Sequence, residues 1–187
     1  MSVAKATSPR ATLADLGEVR GKAELIRGRI VPIMPTGHIP NVIAGRIFRR
    51  LAECADETAS GVAYTDNMGF AVAELKSGRE SFSPDAAYYT GPLPNNLMRF
   101  INGAPDFAVE VRSENDYGTA AESLMASKRL DYFEAGTKVV WDVDPKAGVV
   151  RCYRSGEIDP TVFVASDEAD AEPAVPGWRV SVSWLMR

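Results

Sequence analysis

The sequence is poor in the residues that thiol chemistry and imidazole-based metal sites require. Its 187 residues include one histidine, His38, and two cysteines. A single histidine excludes metal sites built from two imidazoles and most catalytic triads that depend on histidine. Cys54 and Cys152 lie far apart and form no metal-ligand pattern. We therefore expect two free thiols in a reducing compartment.

The sequence also lacks a long apolar run. The first residues contain no apolar core of a signal peptide, and no segment approaches the length of a membrane span. We therefore expect a cytoplasmic protein with no membrane partner. A chain of 187 residues is long enough for one well-packed domain and too short for two comfortable ones. We predict one domain over residues 1–187, with a flexible lead over about residues 1–11.

The sequence also has no excess of basic residues. The net charge is -4 and the isoelectric point is near 5.1, whereas domains that bind nucleic acids are more often basic. A local basic face can still act within an acidic chain. Arg46, Arg49 and Arg50 gather on one face of a predicted helix, where guanidinium groups could bind phosphates. Glu53 partly cancels their charge, so a solvated surface is the alternative.

Two carboxylates stand out because they interrupt apolar stretches that are typical of buried strands. Asp85 precedes the apolar run at residues 86–89, and Glu110 lies within residues 107–111. A buried carboxylate is costly unless it is paired, hydrogen-bonded or bound to a metal. Both could converge on one cation. Arg112 follows Glu110 by two residues, so the period of a strand places it on the same face.

These residues resemble a known family when they are taken with their neighbours. Pro84-Asp85, the strand with Glu110-Val111-Arg112, a helix and the strand at residues 139–145 resemble the PD-(D/E)XK nuclease superfamily. Within it, the chain is similar to the Uma2-type restriction endonuclease group. Four blocks occur in that group's order: residues 23–31, 103–110, 128–136 and 141–145. The resemblance covers roughly residues 20–155.

The resemblance implies a fold and an activity. The fold would be α/β and restriction-endonuclease-like: a mixed β-sheet core flanked by helices, with added N-terminal and C-terminal β-hairpins. The activity would be metal-dependent hydrolysis of phosphodiester bonds, with DNA as the expected nucleic-acid partner. Asp85, Glu110 and the backbone carbonyl of Val111 would form a hard oxygen site suited to Mg²⁺ or Mn²⁺ and poorly suited to zinc.

The resemblance also suggests further site residues, with alternatives left open. Lys128 lies on an apolar stripe of the helix predicted at residues 118–134, and it matches a lysine common in the group. Its ammonium either faces the carboxylates or snorkels to water. Arg112 stands where the superfamily's strand lysine would be, but arginine cannot deprotonate to act as a base. Glu24 either orients a metal-bound water or is a solvent-facing glutamate of an edge strand. His38 has a capping, structural or catalytic role.

Local patterns predict several other elements. Thr12 is suited to cap a short helical turn, and residues 23–33 predict a hairpin that turns at Arg27-Gly28-Arg29. Apolar residues at 39, 43, 47 and 51 predict a helix. Residues 139–143, 149–153 and 161–164 are expected to be strands, and residues 167–176 a loop. Residues 178–186 fit either an amphipathic strand or a helix.

Two other classes of function remain possible on the sequence. The fold could persist as a binding or assembly module with weak or no catalysis, which the acidic charge and the arginine at the motif's lysine position favour. Alternatively, the protein could hydrolyse a small phosphorylated compound with a metal. A homodimer is plausible because cutting two strands needs two sites, although no segment indicates its interface.

Overall fold

The computed structural model describes residues 9–187, so the predicted flexible lead falls almost wholly outside the described residues. The helices are α1 Leu13–Gly17, α2 His38–Thr58, α3 Thr119–Glu134 and α4 Val182–Leu185. The strands are β1 Ala23–Ile26, β2 Arg29–Pro32, β3 Val62–Thr65, β4 Phe70–Ala71, β5 Ser81–Phe82, β6 Ala86–Tyr89, β7 Ile101–Asn102, β8 Phe107–Val111, β9 Val139–Asp144, β10 Val149–Arg154, β11 Thr161–Phe163, β12 Glu168–Asp170 and β13 Arg179–Ser181.

A mixed six-stranded sheet forms the centre of the molecule, in the order β11-β10-β9-β8-β6-β3. The neighbours β8 and β9 are parallel, while the other neighbouring pairs are antiparallel. Helix α3 connects β8 to β9, as a parallel pair requires a crossover. A smaller sheet contains β5, β4 and β7.

The two faces of the central sheet pack against different elements. Because side chains alternate along a strand, Val109 and Trp141 enter one core while Ala108 and Val140 enter the other. The first core contains the apolar stripe of α2 and the C-terminal segment. The second contains Tyr132 of α3 and the aromatic residues of the smaller sheet. The central sheet is therefore covered on both sides, which explains its apolar strands.

Helix α2 confirms most of the predicted apolar stripe. Ile43, Ile47 and Leu51 are buried, whereas Ile39 in the first turn is 58% exposed. Helix α3 starts one residue later than predicted, with Gly118 as its N-cap. It ends at Glu134, and Gly136 follows with φ +103°, a conformation that glycine adopts without strain. Thr12 accepts a hydrogen bond from the Asp15 N–H and caps α1 as predicted.

The predicted hairpins at both ends of the described chain are present. Strands β1 and β2 pair antiparallel around Arg27 and Gly28, which both have positive φ. Strands β9 and β10 form the predicted hairpin in the C-terminal part of the chain, and β12 and β13 form a further hairpin that was not predicted. The prediction of a loop over residues 167–176 was wrong in part, because β12 forms within it by pairing with β13. Residues 178–186 contain both candidate structures, the strand β13 followed by the helix α4.

Two expectations that concern absent features can be checked in residues 9–187. No helix in this range is both long and apolar enough to cross a membrane. Cys54 and Cys152 are free thiols, as expected, and Cys152 is buried while Cys54 is partly exposed.

Trp141 is fully buried and packs against Phe107 and Trp178, which makes it a core residue.

Candidate functional site

Asp85 and Glu110 line the same cleft, on the face of the central sheet that α3 covers. Each lies two residues from an alanine of the core on that face, Ala87 and Ala108, so strand alternation places both carboxylates there. The cleft has a volume of about 840 Å³. Its walls come from the hairpin β1–β2 with the segment after it, and from α3.

Asp85 lies one residue before β6 and is tied to β8 through its backbone and side chain. Its N–H donates to the carbonyl of Val109 at 2.9 Å, and its Oδ2 accepts the Val111 N–H at 2.8 Å. The Asp85 carboxylate thus adds a hydrogen bond to β8 just before the hydrogen-bonded pairing of β6 with β8 begins. Its Oδ1 accepts from the Lys22 ammonium at 3.0 Å.

Glu110 receives two donors from α3 on a single oxygen. Its Oε1 lies 2.8 Å from the Lys128 Nζ and 2.7 Å from the Tyr132 hydroxyl, which donates. Burial raises the pKa of the Glu110 carboxyl; Lys128 counteracts this shift, while Asp85 and Glu24 add to it. Burial therefore disfavours the ionised form of Glu110, and a cation bound to this carboxylate would stabilise that form.

Lys128 bridges the glutamates of two different strands. Its Nζ lies 2.8 Å from Glu110 Oε1 and 3.1 Å from Glu24 Oε1. Burial alone would lower the pKa of this ammonium, but the charges of Glu110 and Glu24 raise it above its ordinary value. Of the two orientations considered for Lys128, the structure has the one in which the ammonium faces the carboxylates.

Glu24 is buried rather than solvent-facing, so the solvent-facing alternative was wrong. Its side chain accepts from Arg79 and from the Ser83 N–H at 3.0 Å, besides its contact with Lys128. Burial would raise the pKa of its carboxyl, but Lys128 and Arg79 hold that pKa below its ordinary value. Glu24 thus remains ionised and fully paired.

Arg112 forms ion pairs with Asp142 and Glu122. Its Nε and Nη2 each bind Asp142 at 2.7 Å, and its guanidinium also binds Glu122 of α3. Asp142 stands opposite Glu110 in the register of β8 and β9, so both lie on one face. Within residues 9–187, Arg112 makes no ion pair with Asp85 or Glu110. Arg112 therefore lines the same cleft as Asp85 and Glu110, but it pairs with Asp142 and Glu122 instead of them.

The residues of the site that were missed from the sequence include Lys22, Arg79 and Asp66. Lys22 precedes Glu24 by two residues, and this spacing could have indicated that they share a face. Arg79 is buried between Glu24 and Asp131. No local pattern reveals this, because Arg79 and its two partners are separated by more than 50 residues in the chain.

His38 and the arginine cluster of α2 lie outside the cleft lining. His38 is the exposed first residue of α2, whose N-cap is Gly37 without a side-chain bond, so the capping interpretation was wrong. Arg46 donates to the carbonyls of Leu185 and Arg187. The remaining cluster contacts place Arg49 over the Trp184 ring and Arg50 on Glu53. Arg46 therefore anchors the C-terminal segment, whereas the side chains of Arg49 and Arg50 are 62% and 47% exposed at the surface.

The oxygen donors of the cleft fit a small, hard divalent cation. The candidate ligands are the carboxylates of Asp85 and Glu110 and the carbonyl of Val111, which lies on the same strand edge as the N–H that Asp85 accepts. In the part of the chain that is described, no group of three or more His, Cys, Asp or Glu side chains is arranged around a metal position. Two carboxylates and a carbonyl are hard oxygen donors of the kind that divalent cations accept, with waters as the remaining ligands.

Comparisons with known proteins agree with this architecture. A model of the Uma2 family, described as "Putative restriction endonuclease", matches residues 13–183. A crystal structure from Anabaena variabilis ATCC 29413, of a putative nuclease belonging to DUF820, superimposes with a TM-score of 0.74. The two sequences are 19% identical, and the match covers 94% of this chain and 97% of the other. No curated protein sequence matches significantly. The expected restriction-endonuclease-like fold is confirmed.

Proposed function

Since the chain belongs to the Uma2 family, we propose that it is an Mg²⁺- or Mn²⁺-dependent endonuclease that hydrolyses phosphodiester bonds in DNA. One observation carries the proposal: Asp85 and Glu110 line one cleft, and the Lys128 ammonium lies 2.8 Å from Glu110. Two carboxylates and a cation are the groups that this chemistry requires.

Each residue has a distinct role in the proposed reaction. Asp85, Glu110 and the Val111 carbonyl hold the metal. The chemistry supplied by a bound divalent cation is polarisation of the phosphate and activation of a water. Lys128 stabilises the negative charge that develops on the phosphate; it does not act as a base, because its neighbours keep it protonated. Glu24 positions Lys128 through the contact at 3.1 Å.

A second candidate is a nuclease-fold module that binds or assembles without catalysis. It is favoured by the pairing of the cations at the cleft floor. Lys22, Lys128, Arg79 and Arg112 each contact a carboxylate of the protein itself. Cations that are already paired attract a polyanion less strongly than free ones.

The first experiment is calorimetric titration of Mn²⁺ into the wild type and the Glu110→Gln variant. The substitution removes a charge while it keeps the shape of the side chain. We expect Mn²⁺ affinity to fall at least about tenfold and cleavage of plasmid and single-stranded DNA to be lost. Glu114→Gln is the matched control, since Glu114 is exposed in the turn that follows β8.

The results separate the proposed functions. Mn²⁺ binding and DNA cleavage that both fall in Glu110→Gln but persist in Glu114→Gln support the nuclease. Equal behaviour of all three proteins would show that the site is wrongly assigned. Binding of DNA that weakens steeply with salt would exclude a small phosphorylated substrate, because only a polyanion releases many counterions. DNA binding without cleavage at any metal concentration would favour the binding module.

A further inference from the structure

Lys22 places an ammonium on the carboxylates proposed to hold the metal. It lies just before β1, and its Nζ is 3.0 Å from Asp85 Oδ1 and 2.5 Å from Asp66 Oδ1. Asp66 lies in the turn after β3, at the edge of the same cleft. The Lys22 side chain is only 14% exposed, so water screens these contacts weakly. Lys22 is not part of the motif that indicated the site.

Lys22 contacts one of the two proposed metal ligands directly, namely Asp85. Burial would lower the pKa of its ammonium, but Asp85, Asp66 and Glu110 together raise that pKa. Asp85 Oδ2 accepts the Val111 N–H, and Asp85 Oδ1 accepts from the Lys22 ammonium. The ammonium and a divalent cation would therefore compete for the negative charge of one carboxylate.

We infer that Lys22 is an internal competitor of the metal, and that metal binding transfers its ammonium from Asp85 to Asp66. The inference rests on the proposed function, because it concerns the same metal site. Lysine suits this exchange, since its flexible stem carries a compact charge with three donors. Asp66 already holds the ammonium at the shorter distance and is 35% exposed, so it can retain Lys22 at the wetter side of the cleft.

The inference is tested by Mn²⁺ calorimetry on Lys22→Met, which keeps a stem of similar length without the charge. We expect Mn²⁺ to bind at least about tenfold more tightly, as the loss of a like charge within a few ångströms implies. Arg20→Met is the matched control: Arg20 is exposed and lines the same cleft, so the charge change is equal while the contact with Asp85 is untouched. Its effect should be no more than about twofold.

A double-mutant cycle with Asp66→Asn distinguishes competition from a general effect of charge. If Asp66 receives the displaced ammonium, Asp66→Asn weakens Mn²⁺ binding in the wild type and changes it little in Lys22→Met. Purely additive effects, or equal changes in Lys22→Met and Arg20→Met, would overturn the inference while leaving the metal site intact. Failure of every protein to bind Mn²⁺ would overturn the proposed function as well. Thermal melting of each variant confirms that the titrated protein is folded.

Discussion

Glu24 and Glu110 show how partners determine the state of a buried carboxyl group. Both lie in the cleft, and both contact Lys128. Glu24 also binds Arg79 and a backbone N–H, and its pKa is lowered. Glu110 has the neutral Tyr132 hydroxyl instead, and its pKa is raised. Glu110, which we propose binds the metal, therefore has fewer cationic partners in the protein than Glu24 has.

Asp106, outside the cleft lining, provides a test of pH dependence. It accepts from the N–H and hydroxyl of Thr90 at 2.7 and 2.9 Å, and it pairs with Lys138 at 2.8 Å. Burial would raise the pKa of Asp106, but Lys138 and Thr90 hold it below its ordinary value of 3.8. The stabilisation is therefore present above pH 3.8 and is lost as the pH falls through the lower pKa of the folded protein.

We predict that Asp106→Asn destabilises the protein by about 1 kcal/mol at neutral pH, the typical contribution of such hydrogen bonds. The melting temperature should fall by about 2–4 °C. This difference should shrink as the pH drops below the ordinary range of aspartate. Thermal melts from pH 7 to pH 3 provide the measurement, with Asp159→Asn as the exposed control. A difference that stayed constant with pH would contradict the assigned cause.

Helix α3 is attached to the rest of the molecule by charged contacts along its length. Glu122 in its first turn binds Arg112, Lys128 binds the two glutamates, and Asp131 near its end binds Arg79 at 2.9 Å. The proposed catalytic lysine therefore lies between two arginine contacts. These contacts fix the axial position of the helix, and with it the position of the ammonium.

Arg79 should be the more sensitive of the arginines to test, because it is buried with two carboxylates. Its substitution by methionine removes the cation that pairs with Asp131 and leaves Glu24 with Lys128 alone. We predict a loss of about 3–5 kcal/mol in the free energy of unfolding, the cost of breaking a buried ion pair. Urea denaturation measures this loss.

Arg50→Met serves as the control for Arg79→Met. Arg50 is 47% exposed and pairs with Glu53, itself 44% exposed. Exposed pairs contribute between 0 and about 1 kcal/mol, so this variant should unfold close to the wild-type midpoint. Similar losses in both variants would show that the burial of the Arg79 contacts does not determine their strength.

The elements that the sequence predicts best are those with a strong local signal. The hairpin β1–β2 has a two-residue turn, and α2 and α3 have clear boundaries. Strand β12 was missed because its residues, Glu168 to Asp170, are mostly acidic and resemble a loop. It forms because β13 offers a partner and because Ala169 is buried in the main core. A tertiary contact, rather than local preference, determines this strand.

At the scale of the whole molecule, long-range pairing limits what the sequence reveals about the site. Asp85 and Glu110 could be identified because a charge within an apolar run is conspicuous. The partner of Arg112 could not, since Asp142 is 30 residues away and lies in another strand. Lys22 is 63 residues from Asp85. These charges come together only in the folded protein. Their pairing determines which cations are left to interact with a substrate.

The site is assembled from two parts of the molecule that differ in their attachment. Glu110 belongs to β8, which has hydrogen-bonded strands on both sides in the six-stranded sheet. Glu24 belongs to β1 and Lys22 precedes it; β1 pairs with β2 in a two-stranded sheet, and residues 25–27 have a few further hydrogen bonds to residues 78–81. Local opening of a protein involves its least supported units first. We predict that amide hydrogens of β2 exchange with solvent at least about a hundredfold faster than those of β8, because β2 is exposed and has one neighbour.

Hydrogen exchange followed by mass spectrometry would measure this difference in peptides that cover residues 29–32 and 107–111. Equal rates would show that both units open only when the whole protein unfolds. A fast hairpin would have a kinetic consequence. The Lys22 and Glu24 half of the site could separate from the Asp85 and Glu110 half and return many times between unfolding events. Access to the carboxylates would then be governed by the opening of the hairpin, independently of the lifetime of the folded sheet.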